Sequence, residues 1–129
     1  MRCRISRCVA DAIRSASDGA APREACGLLF GQDGAITAMQ VTRNVAEMPE
    51  RHFEIDPVAL FGALRAERAG GPKILGYWHS HPSGEAWPSA TDAECAAADG
   101  RLWVIVAGEQ ISVWRAGAGG FEGVELVVA

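Results

Sequence analysis

The chain has 129 residues, of which 49% are hydrophobic and 22% charged, and its formal net charge at neutral pH is −4. That balance excludes a disordered polymer and predicts one domain, residues 1–129, with enough chain for a single sizeable core. The negative charge and the lack of a basic cluster argue against nucleic-acid binding, and no stretch reaches the roughly 18 apolar residues of a membrane span.

The N-terminal Met1-Arg2-Cys3-Arg4-Ile5 is basic, but no apolar run follows it. It therefore does not read as a signal peptide, and a cytoplasmic protein is the expectation. Residues 6–17 predict a helix, with Val9, Ala12, Ile13 and Ala16 at helical spacing and Gly19 just past its end. Residues 25–31 and 35–45 predict a hairpin turning at Gln32-Asp33-Gly34, where Asp-Gly is a tight-turn signal. His52-Phe53-Glu54-Ile55 reads as a short strand. Asp56-Pro57 then supplies a cap and first turn for a helix running to about Ala69, stopped by Gly70-Gly71-Pro72. The apolar Ile74-Leu75-Gly76-Tyr77-Trp78 is a strand that runs into two histidines and ends at Pro82. A loop over 83–88 leads to a helix that begins at Ser89 and ends near Gly100. Strands at 101–107, 110–116 and 121–128 complete the chain, separated by a Gly108 turn and a glycine-rich loop at 117–120.

The chemistry concentrates between Trp78 and Asp92. Residues two apart on a strand share a face, so His79 and His81 aim at one point while Ser80 faces away. A strand end and a helix start can bring these histidines to Asp92. Two histidines and a carboxylate, with one coordination position left for water, are a common ligand set for catalytic zinc. Each part also has a structural reading. A single histidine is more often a satisfied polar residue than a ligand, and Ser89-x-x-Asp92 or Thr91-x-x-Glu94 is also the pattern of a helix capping box. Glu24 stands at the mouth of the strand that starts at residue 25. It is either an exposed strand-end acid or a functional group, because a carboxylate is costly to bury unless it is paired or used.

The conjunction of Glu24, His79-Ser80-His81-Pro82 and Ser89-x-x-Asp92, with seven residues between His81 and Ser89, resembles the signature of the JAMM (MPN+) zinc metalloproteases. Pro22-Arg23-Glu24-Ala25-Cys26-Gly27-Leu28-Leu29, the segment 43–57 and the Gly76-to-Pro82 strand resemble the small stand-alone bacterial members. The resemblance implies an α/β (α+β) fold, a curved mixed β-sheet flanked by helices with cytidine-deaminase-like architecture. It also implies one Zn²⁺ per chain held by His79, His81 and Asp92, with Glu24 and Ser89 as catalytic residues. Glu24 would take a proton from water and deliver it to the leaving amine, and the Ser89 hydroxyl would steady the water or the oxyanion. Zinc can lower the pKa of water from about 15.7 to about 7, which leaves a gap that a positioned glutamate can bridge.

The implied reaction is hydrolysis of the amide bond after the C-terminal glycine of a ubiquitin-like or sulfur-carrier β-grasp protein: deconjugation, processing or release of cysteine. The tail would bind in a narrow groove, by pairing with an edge strand. The alternative is a catalytically silent MPN-type scaffold that binds such a partner. A nucleoside deaminase would need the His-x-Glu and Pro-Cys-x-x-Cys pattern, which is absent. Elsewhere, Cys3, Cys8, Cys26 and Cys95 read as reduced thiols and His52 as structural or surface. Glu85 reads as solvated and Trp87 leans toward a substrate-facing role.

Overall fold

The computed structural model describes residues 2–129. Seven strands and three helices follow in the order β1 (Arg2–Ile5), α1 (Arg7–Ala20), β2 (Cys26–Gln32), β3 (Ala35–Thr42), α2 (Pro57–Arg68), β4 (Ile74–Ser80), α3 (Ala90–Cys95), β5 (Leu102–Ala107), β6 (Gln110–Gly117) and β7 (Gly120–Val128). The strands form one mixed sheet ordered β1-β3-β2-β4-β5-β6-β7, and β1 closes it into a barrel by pairing in parallel with both β3 and β7. The curved mixed sheet expected is present, and its curvature carries through to closure. The closing strand, Arg2–Ile5, is an element that the targeting argument for the N-terminus does not predict. Its alternation does carry the signal: Arg2 and Arg4 are exposed, Cys3 and Ile5 buried.

The β2–β3 hairpin turns at Asp33 and Gly34, both with positive φ (53° and 74°), which the Asp-Gly pair tolerates. Helix α1 is capped by the Ser6 side chain accepting from the Val9 amide, and it passes through Gly19 to stop before Pro22. Helix α2 starts as expected, with Asp56 accepting from the Val58 amide and Pro57 in the first turn. Helix α3 is shorter than expected. Ala96 is already extended, and the Asp99 side chain accepts from the Arg101 amide as the chain turns into β5.

Residues 52–55 do not form the expected strand. Beyond a single bridge between Asn44 and Ile55, the His52 amide donates to the Met48 carbonyl, and one side chain takes the His52 carbonyl and the Glu54 amide. Asn44 Oδ1 accepts from the amides of Ala46 and Glu54, and Nδ2 donates to the carbonyls of Glu24 and His52. An asparagine amide can satisfy a loop's polar groups where no partner strand is present.

The sheet buries different material on its two faces. Leu29, Trp78, Val104, Val106 and Val113 pack with Val9, Ala10 and Ile13 of α1 as the main core. On the opposite face Cys26, Leu28 and Ile55 pack with Phe30, Phe53, Leu60 and Tyr77 beside α2. Strand β4 contributes to both. Trp78 is fully buried and its indole N–H donates to the Gln40 carbonyl, while Tyr77 and His79 point to the other side. Gly27, the register partner of Trp78 on β2, leaves the room this indole occupies.

Candidate active site

The site sits where β4 leaves the sheet. His79 is fully buried and pairs in register with Cys26 on β2 and Ile105 on β5. His81 follows on the same face, and its amide donates to the Val106 carbonyl. Ser80 points the other way, where its hydroxyl accepts from the Ala25 amide and ties the start of β2 to the end of β4. Glu24, one residue earlier, is thereby fixed beside the histidines, and its own amide donates to the Pro49 carbonyl.

Asp92 arrives from the first turn of α3. Its Oδ2 lies 3.1 Å from the Nε2 atoms of both His79 and His81, and those two nitrogens are 3.0 Å apart. Two ligands about 2.0–2.1 Å from a tetrahedral metal are separated by about 3.3 Å, so the triangle has the dimensions of three such ligands. The donor chemistry fits a cation as well. Two imidazole nitrogens facing each other at hydrogen-bond distance repel unless a proton or a metal lies between them, and the carboxylate adds negative charge to the same point. His81 Nδ1 lies 2.7 Å from the Glu85 carbonyl oxygen, which can only accept. Nδ1 therefore carries the proton and Nε2 keeps its lone pair for a ligand.

The capping-box reading of Ser89 and Asp92 also holds. Ser89 Oγ accepts from the Asp92 amide at 3.0 Å, and the Ser89 amide donates to Asp92 Oδ2 at 2.9 Å. The box aims the carboxylate, and the same oxygen meets the histidines. Ser89 Oγ still has its proton to donate.

Electrostatics separate the members of the group. Burial lowers the pKa of His79 and keeps its imidazole neutral, the ligating form. Burial works in the same direction on His81, but the Asp92 carboxylate and the Glu85 carbonyl outweigh it and raise that pKa. Burial would raise Asp92, yet hydrogen bonds from His79 and His81 and from the Ser89 amide hold it well below the carboxylate range. Glu24 moves oppositely. Burial pushes its carboxyl from 4.5 up to about 7, opposed by His81 and assisted by Asp92. One of its carboxylate oxygens and a ring nitrogen of each histidine lie within 4.8 Å of one another, and a metal could be shared among them. Asp92 Oδ2 lies closer, at 3.1 Å from both Nε2 atoms, and Glu24 is buried beside that triangle with Oε1 unpaired among the described residues.

All five residues singled out from the sequence thus converge. Others at the site carried no role in that reading. Phe53 stacks on the His79 ring at 4.2 Å, and Trp103 meets His79 edge-on. Asn44 carries the Glu24 carbonyl. Phe53 and Asn44 lie in the segment 43–57 that carried the family resemblance, so the signal was present without an assignable contact. A cavity of about 810 Å³ opens alongside. Phe53, Ile55, Leu60, Tyr77 and Trp103 form its apolar wall, Asp92 its inner end, and Glu47, Glu54, Glu94 and Asp99 its acidic rim. His52 also lines it. Trp87, in the loop between the ligands, is 57% exposed. The four cysteines are free, Cys3 and Cys26 buried, Cys8 and Cys95 exposed.

Residues 6–117 match the model of the prokaryotic homologs of the JAB domain. The chain belongs to this family. Within it, the chain is 37% identical over 94 residues to the desampylase of Haloferax volcanii, covering 71% of this chain and 68% of the relative. It is 38% identical over 72 residues to a probable TtuB-protein conjugate cleaving protease of Thermus thermophilus, covering 56% of this chain and 48% of that one. The solution structure of protein DSY2949 from Desulfitobacterium hafniense superposes with a TM-score of 0.86 at 27% identity, over 100% of this chain and 93% of the other. The expected JAB/MPN mixed α/β fold agrees with these matches, and the names of the two relatives, a desampylase and a conjugate-cleaving protease, agree with the hydrolase expected. Among the described residues no helix is long and apolar enough to cross a membrane.

Proposed function

We propose that this JAB-domain protein is a zinc-dependent peptidase or isopeptidase that hydrolyses the amide bond following the C-terminal glycine of a ubiquitin-like or sulfur-carrier β-grasp protein. The observation that carries the reading is the triangle of His79, His81 and Asp92 with the unpaired Glu24 carboxylate buried beside it. The names of the Haloferax and Thermus relatives support a protein conjugate as substrate.

In this reading His79 Nε2, His81 Nε2 and Asp92 Oδ2 hold the zinc. Bound there, the metal supplies Lewis acidity, which acidifies water and polarises a carbonyl. Glu24, whose burial pushes its carboxyl above the ordinary carboxylate range while a neighbouring cation would favour the ionised form, accepts a proton from the attacking water. As the carbon–oxygen bond forms and the carbon–nitrogen bond breaks, the same oxygen returns that proton to the leaving amine. Ser89, whose Oγ lone pair is engaged by the Asp92 amide, points its remaining O–H at the developing oxyanion. The cavity lined by Asp92 would take a segment of the substrate, aliphatic side chains suiting its aromatic lining and basic ones its acidic residues.

The test combines metal analysis with cleavage. Purified protein should hold one zinc per chain and release a carrier protein from a conjugate, and Glu24→Gln should retain the zinc while losing about 10²–10⁴-fold in turnover. Protein that takes up no zinc even after supplementation would instead favour the silent scaffold. Near-normal turnover in Glu24→Gln would remove Glu24 from the role of base.

A further inference from the structure

We infer that Ser112 and Trp114 on β6 are positioning residues for His81, acting through the loop 82–88 that leaves it. The inference rests on the reading of His81 as a metal ligand. After His81 the chain turns back over the face of the sheet that carries the histidines. Gly84 closes this turn with its amide on the His81 carbonyl, and a side chain there would crowd the His81 Cβ at 3.2 Å. The Glu85 carbonyl then accepts from His81 Nδ1 at 2.7 Å, setting the tautomer and the ring plane. One residue on, Ala86 is buried although most of its loop is exposed, and its carbonyl accepts from the Ser112 hydroxyl.

Register explains how β6 reaches this loop. His79, Ile105 and Ser112 lie on one rung across β4, β5 and β6, so Ser112 faces the same side as the ligands two strands away. Ser112 has one proton, and it goes to Ala86. Its lone pair is filled by the Trp114 indole N–H at 2.8 Å. The result is a directed chain from the Trp114 N–H to the Ser112 hydroxyl and the Ala86 carbonyl, next to the peptide whose carbonyl orients His81. Donors in series polarise one another, and an indole N–H cannot reverse the direction. The loop is thus pinned at two consecutive carbonyls, one to the ligand and one to the far side of the sheet. Outer partners that fix a ligating histidine typically change metal affinity by about 10–100-fold when removed.

Ser112→Ala should weaken zinc binding about 10-fold in competition with a chromogenic chelator. Ser112→Thr, which keeps the hydroxyl, should stay within about 3-fold of the parent, and Trp114→Phe should fall between. The His81 Nδ1 proton, followed by nitrogen-edited NMR in zinc-free protein, should exchange faster in Ser112→Ala and Trp114→Phe but not in Ser112→Thr. A stabilising role without positioning predicts lower melting temperatures with unchanged zinc affinity and unchanged Nδ1 exchange, and that result would overturn the inference. Should Ser112→Ala not fold, the comparison of Trp114→Phe with Ser112→Thr decides, and parent-like behaviour in both refutes it. Absence of zinc in the parent protein would count against the proposed function, while the Nδ1 proton would still report on the clamp.

Discussion

Glu24→Gln should make the metal-free protein more stable at neutral pH. The side chain is 7% exposed and burial is the largest influence on its acidity, lifting the carboxyl from 4.5 to about 7. Below pH 4.5 folded and unfolded chains both hold the proton, so the group contributes nothing. Between 4.5 and about 7 the unfolded chain has released a proton that the folded chain retains, and stability falls as pH rises. Above about 7 the full cost stands, about 3 kcal/mol at about 1.4 kcal/mol per pH unit. Glutamine is nearly isosteric with the protonated carboxyl and does not ionise, so it avoids this cost. For a domain of this size the difference corresponds to about 10 °C in melting temperature. Thermal unfolding of both proteins with a chelator present should give nearly equal midpoints at pH 4, diverging to that gap by pH 7.5. Zinc should narrow the gap, because a neighbouring cation favours the ionised carboxylate. A difference that is independent of pH, or a glutamine variant that melts lower at pH 7.5, would refute the burial argument.

His79→Ala and Asp92→Ala each remove one corner of the donor triangle, so both should lose stoichiometric zinc by atomic spectroscopy while keeping the parent's far-ultraviolet dichroism. Retained zinc in either would mean that the metal is held elsewhere. Asn44→Ala frees the loop groups that its amide satisfies and should cost about 3 kcal/mol, with new proteolytic cleavage within 45–54; an unchanged digestion pattern would show that the loop holds itself. Gly27→Ala drives a methyl group into the Gln40 carbonyl and the Trp78 indole nitrogen. It should cost about 3 kcal/mol or more, measured by urea unfolding, and a parent-like midpoint would contradict the packing described.

Where the chain has local instructions, the sequence was sufficient. The hairpin was readable because Asp-Gly names its own turn, and α2 because Asp56-Pro57 names its own start. The alternation around Ser80 was enough to place His79 and His81 together, and helix-start chemistry aimed Asp92 toward them. Long-range pairings were not readable. Nothing near Arg2–Ile5 announces that β7, more than a hundred residues later, will supply its partner. The segment 52–55 has strand composition, yet it meets an asparagine side chain where a strand would have been needed. Ser112 and Trp114 are ordinary strand residues until register places them opposite the ligand loop. Glu24 stood out only through the family pattern, because the bonds that hold it in place come from Ser80 on its neighbour and from Asn44 and Pro49.

The two-sided character of β4 separates chemistry from scaffold at single-residue resolution. Trp78 and Ser80 are committed to the interior and to the start of β2, whereas His79 and His81 spend little of themselves on holding the barrel together. A substitution at His79 or His81 therefore removes a corner of the donor triangle without touching the Trp78 indole or the Ser80 hydroxyl, while one at Trp78 or Ser80 disturbs the support on which both histidines stand.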